Sequence, residues 1–441
     1  KVIKLRKGLD VNLKGKAALE TTTIACPGEY ALVPDDFVGV KPKVVVKEGD
    51  SVKAGDALFV DKLHPEVKFV SPVSGKVCLI ERGDRRKLLS IRVKADQEQE
   101  AREFDVKGDI KELLLESGLF AFFRSRPYDV VANPEDKPKA IFVSAFNSMP
   151  LSQDFDYVLK GQEKEFQAGI SALSALAKVE LGVSVKQTSE ALRNAKDCNV
   201  TLYDGPAPIG NVGVQINQIS PINKGEVVWT LGAEEVIFVG RLMTTAKVDL
   251  TRTIALAGSE VKTPKYFSVK VGQQLTTLLN GQLDQEQNLR IINGNVMTGF
   301  KTCKDSYLAA HATEINVIPE GNDVDEFMGW INPLRTQEFS TSRTYWSWLC
   351  SKKEYALDAR VKGSERHMIV AGEYDKVFPM DIYAGYLVKA IITGDIDRQE
   401  ALGIYEVAPE DFAIAEFVDS SKLELQRIVR EGLDILRREN A

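Results

Sequence analysis

Histidine and cysteine are scarce in this chain of 441 residues, which holds three of the first and five of the second. Cys26, Cys78, Cys198, Cys303 and Cys350 are scattered with no two close in sequence, so neither a zinc knuckle nor a run of closely spaced cluster-binding thiolates can be written. Each is expected to be a small buried apolar residue in a reducing compartment. His64, His311 and His367 stand equally apart, and no metal site is assigned. Excess base is also missing: 57 Lys and Arg against 63 Asp and Glu give a net charge of −6, which argues against a nucleic-acid partner. No apolar run approaches the roughly eighteen residues of a membrane span, and even Ile382 to Ile392 is broken by Lys389. Nor does a charged start lead into an apolar core and cleavage site, so a cytoplasmic chain is expected.

What is present suits a multidomain α/β protein. With 44% apolar residues, several cores can be filled, and the length predicts about three domains. From Val44 to Val77 short β-branched runs alternate with the turns Glu48-Gly49-Asp50 and Ala54-Gly55-Asp56, and Ser71 to Val77 repeats the pattern. This is the pattern of a biotinyl/lipoyl-like β hammerhead. Lys62, after Asp61, is the one lysine near the tip between the halves, but the return to Ser71-Pro72 is about two residues too long for an acylated arm. A structural module is the first reading, and a biotin or lipoyl carrier the alternative. The basic loop Arg82 to Lys87 then reads as a solvated hairpin turn.

Beyond Ile110 the periodicity changes. Ile110, Leu113, Leu114 and Glu116 predict a short helix ending at Gly118, followed by the bulky loop Phe120 to Pro127. Ile141 to Val143 predicts a buried strand, Phe166, Ile170, Leu173 and Ala177 a helix, and Val200 to Tyr203 and Val236 to Gly240 further strands of a mostly parallel sheet. Two glycine-rich stretches fall short of nucleotide motifs. Gly205 to Gly213 carries two prolines and reads as a loop, and in Gly294 to Thr302 Phe300 displaces the lysine of a phosphate loop. Ile254 to Ile318 reads as strand, hairpin, helix and strand, a small β-grasp unit. Phe327, Trp330, Phe339, Tyr345, Trp346 and Trp348 predict aromatic packing between helices or an interaction surface. The helix following Phe378 to Ile382 and a last helix, capped by Ser421 to Glu424 with Leu425, Ile428, Val429 and Leu436 on one face, close the chain.

These blocks together resemble the A-subunit family of the sodium-translocating NADH:quinone oxidoreductases. The likeness runs from Ile3 to Asp10 through Val67 to Val77, Glu116 to Leu119 with Arg124 to Pro127, and Ala140 to Val143. It continues through Trp330 with Pro333, Ser342-Arg343-Thr344 and Val377 to Ile382. That family is similar to the flavoprotein subunit of respiratory complex I and the C subunit of Rnf complexes. The resemblance implies an N-terminal extension (1–37), the hammerhead (38–100), a Rossmann-like domain (101–253), an SLBB-like β-grasp (254–324) and a helical domain (325–441).

Departures from those relatives shape the expected function. Where they hold flavin at a glycine-rich loop, this chain has Phe120, Phe122, Phe123 and Arg124. Phenylalanine in place of glycine fills space and turns amides away, so flavin binding should be lost. After Cys350 the tail has no cysteine for clusters, and Glu416 to Ser420 stands where family members show thiols. The resemblance thus implies a peripheral component on the cytoplasmic face of the bacterial inner membrane. Its complex uses NADH, flavins, iron–sulfur centres and quinone, and its contacts are chiefly with the B subunit. Phe122, Phe123, Arg124 and Arg126 are the quinone-proximal candidates, by ring stacking and guanidinium hydrogen bonds. Two other outcomes stand beside this: the four plug an old cofactor cavity and pair with Asp or Glu, or the chain is a flavin-dependent NADH dehydrogenase subunit.

Overall fold

The computed structural model describes residues 1–24, 28–284, 288–322, 338–341, 345–350, 352–370 and 372–440. Cys26, Phe327, Trp330, Pro333 and Ser342-Arg343-Thr344 therefore lie outside the described residues. Two short strands open the chain, β1 (Val2–Lys4) and β2 (Ala18–Thr23). The next segment builds β3 (Glu29–Leu32), β4 (Pro42–Val44), β5 (Ser51–Val52), β6 (Ala57–Asp61), β7 (Lys68–Val70), β8 (Gly75–Arg82) and β9 (Leu88–Ala95). They form a four-stranded sheet in the order β3-β9-β8-β5 and a three-stranded one, β4-β6-β7. The two turn signals act alike: Gly49 and Gly55 take φ of 95° and 94°, and Asp50 and Asp56 accept from the N–H groups of Lys47 and Lys53 at 2.8 Å. Phe59 and Phe69 stack at 4.4 Å in the core. Lys62 is exposed where the chain leaves β6, and its N–H donates to the Lys41 carbonyl at 2.7 Å. The basic loop is a hairpin turn between β8 and β9, with Lys87 paired to Asp35 at 2.6 Å.

The second domain runs α1 (Ile110–Glu116), β10 (Arg124–Arg126), β11 (Val130–Val131), β12 (Ile141–Ser144), α2 (Phe155–Val158), α3 (Glu163–Ser174), β13 (Val179–Ser184), α4 (Glu190–Arg193), β14 (Asn199–Asp204), α5 (Val212–Ile219), β15 (Val228–Gly232) and α6 (Ala233–Thr245). Asp109 caps α1 by accepting from the Glu112 N–H at 3.0 Å, and Gly118, at φ 76°, turns the chain out of it. The sheet order is β1-β14-β13-β12-β15-β10-β11, parallel from β1 to β15, with β10 antiparallel to β15 and to β11. The opening residues, expected as an extension, thus supply an edge strand to this sheet.

Several local expectations fail here for identifiable reasons. Val236 to Gly240, predicted as a strand, lies inside α6, and every residue from Ala233 to Gly240 is buried. A helix covered on all sides loses the polar stripe that reveals its period. Its backbone runs so close to α3 that a Cβ on Gly240 would meet the Glu165 carbonyl at 1.7 Å, and one on Gly169 the Val236 carbonyl at 2.1 Å. The predicted loop Phe120 to Pro127 contains β10, because tertiary pairing with β15 overrides a sequence that marks no strand. Ala177 lies beyond the end of α3, and the loop from Gly205 passes into α5 at Val212. The cysteines are not the buried residues expected: Cys78, Cys303 and Cys350 are exposed and Cys198 half-buried. Cys78 falls on the outward side of β8, next to buried Val77.

The third unit holds β16 (Thr251–Ala257), β17 (Lys265–Lys270), α7 (Leu275–Leu279), β18 (Leu289–Asn293), β19 (Phe300–Thr302) and β20 (Glu314–Pro319). Its sheet, β19-β18-β20-β16-β17-β2, is completed by a strand from the start of the chain. The last unit packs α8 (Ala384–Thr393), α9 (Ile396–Ala401), α10 (Ala413–Val418) and α11 (Leu425–Glu439) around Tyr374, Phe378, Leu387 and Phe412. The Ser421 capping box does not form. Asp419 accepts from the N–H groups of Ser421 and Leu423 at 2.9 and 2.8 Å, holding them in a turn, and α11 starts only at Leu425. Leu425, Val429 and Leu436 are buried as expected and Ile428 is half-buried. Of the aromatic block, Phe339 meets Tyr355 and Phe417 at 5.3 and 5.7 Å, whereas Trp346 and Trp348 are exposed on a single 3-10 turn.

Candidate functional site

Strand alternation sorts the four candidate residues. In the β10–β15 register Arg124 faces Thr230 and Ser125 faces Trp229, so Arg124 and Arg126 share one side of the sheet with Thr230. Phe123 goes to the other side, where it stacks on Phe120 at 5.4 Å and meets the Trp229 ring edge-on at 5.8 Å. Phe122 lies in the 3-10 turn before β10 and points the other way, its ring 5.4 Å from His311 and 5.8 Å from Phe238. Phe122, Arg124 and Arg126 line one cavity of about 560 Å³; Phe123 does not. Phe120, Phe122 and Phe123 are all buried in the main core, and the cavity lies beside them.

The cavity opens at the carboxyl ends of β12 and β15, where ligands of parallel sheets commonly sit, and its volume suits a small organic molecule. Its charge is lopsided. Asp35, Asp36, Asp129, Glu234, Glu235, Glu314 and Glu410 line it, against Arg124 and Arg126. Arg126 is fully buried and committed to the protein. It donates to Asp411 at 3.3 Å and Glu410 at 3.0 Å, and its Nε lies 3.6 Å from Asp129, which ties β10 to the helical domain. Arg124 is looser, with Nη1 3.7 Å from Asp129 and about a third of its side chain exposed (31%).

The floor was not visible in the sequence-based choice of residues. Buried Arg252, on β16, donates to Glu235 at 2.7 Å and to the Ala312 carbonyl at 2.8 Å. Glu234 accepts from the Thr253 N–H at 2.9 Å through Oε1, while its buried Oε2 has no hydrogen-bond partner. Glu314 accepts from Thr313 at 2.6 Å and from the Gln153 N–H at 3.3 Å. Burial raises the Glu234 carboxyl to about 7, against the pull of Arg252, and raises Glu314 as well. Burial, reinforced by Arg124 and Arg252, holds His311 well below its ordinary value and so neutral. The one available signal was Glu234-Glu235, a charged pair inside the otherwise apolar run Val227 to Val239.

The start of α6 decides which ligand charge is tolerated. Backbone N–H groups at such a strand-to-helix junction invite a phosphate, with a glycine allowing close approach. Here Gly232 provides the gap, but a Cβ placed on it would lie 1.9 Å from Glu235 Oε2. The chain's own carboxylate occupies that space. A flavin or nucleotide phosphate would meet Glu235 there, so the residues present do not fit such a group. Among the described residues no group of three or more His, Cys, Asp or Glu side chains is arranged to hold a metal ion, and no helix is long and apolar enough to cross a membrane.

Comparison with known proteins covers the whole chain. Residues 3–96 match the NqrA N-terminal barrel-sandwich hybrid domain, residues 106–248 the NqrA second alpha/beta domain, and residues 253–304 the NQRA C-terminal domain. The A subunit of the Na(+)-translocating NADH-quinone reductase of Yersinia pestis bv. Antiqua is 33% identical over 450 residues, 99% of this chain and 100% of its own length. Those of Serratia proteamaculans and Haemophilus influenzae are 34% and 35% identical, with the same coverage. A solved NAD+-reducing NiFe hydrogenase in the H2-reduced state shares 11% identity and a TM-score of 0.32 over 43% of this chain and 42% of its own, too slight a likeness to bear on fold or function. The chain belongs to the NqrA family, the A subunits of the Na(+)-translocating NADH-quinone reductases.

Proposed function

We propose that this chain is the peripheral, cytoplasmic-face subunit of a sodium-pumping NADH:quinone reductase, holding no flavin or iron–sulfur centre itself and contacting quinone through the cavity. In this reading the second domain is a Rossmann-like fold and the third a β-grasp of SLBB type, both kept as architecture. The observation that carries it is the Glu235 carboxylate at Gly232, which takes the place a cofactor phosphate needs. A neutral quinone escapes that repulsion. Phe122 lies buried in the cavity wall, and Arg124 is the guanidinium with room to donate to a carbonyl, Arg126 being fully buried among carboxylates. Docking on the other subunits, chiefly the B subunit, is supported by the exposed apolar groups along α8, Tyr383, Tyr386 and Ile392.

Two measurements test this. The purified chain should be colourless and should not take up flavin mononucleotide; a yellow protein with stoichiometric flavin would remove the reading at its root. In the intact complex, Arg124→Ala should raise the quinone KM roughly tenfold through loss of a charge-assisted hydrogen bond. Unchanged quinone kinetics and inhibitor affinity would rule out the quinone contact and leave the chain purely architectural.

A further inference from the structure

The hairpin between β18 and β19 brings Phe300 to the cavity, in the stretch where phenylalanine stands in place of a phosphate loop's lysine. This hairpin is a pinned turn. The Gly294 N–H donates to the Glu314 carbonyl at 2.9 Å, the Met297 N–H to Asn295 Oδ1 at 2.9 Å, and the Gly299 N–H to the Asn295 carbonyl at 2.7 Å. The Asn295 side chain donates to the Pro150 carbonyl at 2.9 Å, and Gln426 of α11 donates to the Met297 carbonyl at 3.0 Å, so the turn is tied to both the second and the helical domains. Gly299 makes it compact, since a Cβ there would meet the Asn295 carbonyl at 2.6 Å.

In the β18–β19 register Phe300 opposes Asn293, so the two side chains share a face of the hairpin. Asn293 is buried on that face, donating to the Tyr307 carbonyl at 2.8 Å and accepting from the Ala309 N–H at 3.1 Å. Phe300 is 52% exposed, which among the described residues makes it the most open large apolar side chain lining the cavity; Phe122 and Phe155 in the same lining are buried. The lining is therefore graded. Carboxylates and Arg124 stand within, and an apolar ring held by a fixed turn stands at the lip. A ligand with a carbonyl-bearing ring and an apolar substituent matches that order, with the carbonyl toward Arg124 and the substituent leaving past Phe300. A ring already fixed in place loses little freedom when the substituent covers it.

We propose that Phe300 is a specificity-determining residue of the cavity: its half-exposed ring packs on the apolar substituent of a quinone whose carbonyl-bearing ring lies inside. This rests on the quinone reading above. The test is calorimetric titration of the full chain with a benzoquinone carrying a short isoprenoid chain and with the same ring carrying a methyl group in its place. F300A should weaken binding of the chain-bearing quinone roughly fivefold and leave the methyl analogue within about twofold of the parent. F300L should recover most of the loss, and F300S should not. Thermal midpoints of these variants should stay within about 2 °C of the parent, because the ring is not part of a core. Equal losses for both ligands would overturn the assignment in favour of a contact with the quinone ring itself. No change for either would overturn it and leave the quinone contact to Arg124. Binding of neither ligand, to the chain or to the assembled complex, would remove this inference and the quinone reading together.

Discussion

The two sides of the β10–β15 pair face opposite demands. Behind it, Phe120, Phe123 and Trp229 interlock with essentially no exposure, and the stabilisation comes from burying aromatic area. In front of it the same strands present arginines to a cavity walled by carboxylates. The first side buries a single unpaired indole N–H, of Trp229, among rings, while the second gathers charged groups and leaves Arg126 Nε and Glu234 Oε2 without hydrogen bonds. Even within the polar side the arginines differ. Arg126 is a buried tie between two domains, while Arg124, two residues earlier, keeps a third of its side chain free. The adjacent Phe122 and Phe123 are both buried, but only Phe122 borders the cavity. Along β10, alternation sets the arginines toward the cavity and Ser125 toward the packed side.

The largest effect that could break this contrast is loss of the tie. Arg126→Ala would leave Asp411 buried without its cation and Asp129 with only Arg124 and Arg430, and should destabilise the chain by about 3–5 kcal/mol in denaturant titration. A loss near zero would mean that those carboxyls are neutral in the fold and Arg126 is no tie. Phe123→Ala should cost about 3–4 kcal/mol by opening a void behind the sheet, with little effect on ligand affinity at the cavity. If affinity fell as far as stability, the two sides would not be separate.

A smaller effect follows from pH. Glu234, Glu314 and Asp411 are raised by burial, Glu234 to about 7. A carboxyl raised in the fold contributes stability that is fully present below its ordinary value and lost as pH climbs through the folded value. Above the range in which buried, neutral His311 loses stability to acid, the thermal midpoint should therefore fall by a few degrees between about pH 6.5 and about pH 8, with E234Q flattening part of the slope. Asp129 runs the other way: burial pushes it up, but Arg124, Arg126 and Arg430 together hold it below its ordinary value. Its contribution is present above that value and fades only in stronger acid. A midpoint that instead rose between about pH 6.5 and about pH 8 would show the floor carboxylates stabilised as anions. The smallest effect should be Arg124→Ala on stability, within about 1 kcal/mol, since its pair is long and partly solvated. A larger loss would make Arg124 structural and erase the distinction between the arginines.

Much of the architecture was legible because it rests on local rules. The paired Gly-Asp turns of the first domain, the capped helix before Gly118, the strand at Ile141 and the order of elements in the third unit each depend on residues within a few positions of one another. The site was legible only in part. Phe122, Arg124 and Arg126 do meet at one cavity, but Glu234, Glu235, Arg252 and Glu314 come from α6, β16 and β20, and no sequence spacing brings Arg252 to Glu235. Val236 to Gly240 misled for the related reason that a helix buried on every side resembles a buried strand.

By itself, then, the sequence determined the periodicities, the turns, the shortage of metal-binding side chains and the family likeness, all carried by residue type and near-neighbour spacing. Only the tertiary structure decided which aromatic faces the cavity, which arginine is committed, and that a carboxylate sits where a phosphate would need to be. Those outcomes turn on strand register and on side chains brought from distant segments into one low-dielectric space. Burial then sets their charge.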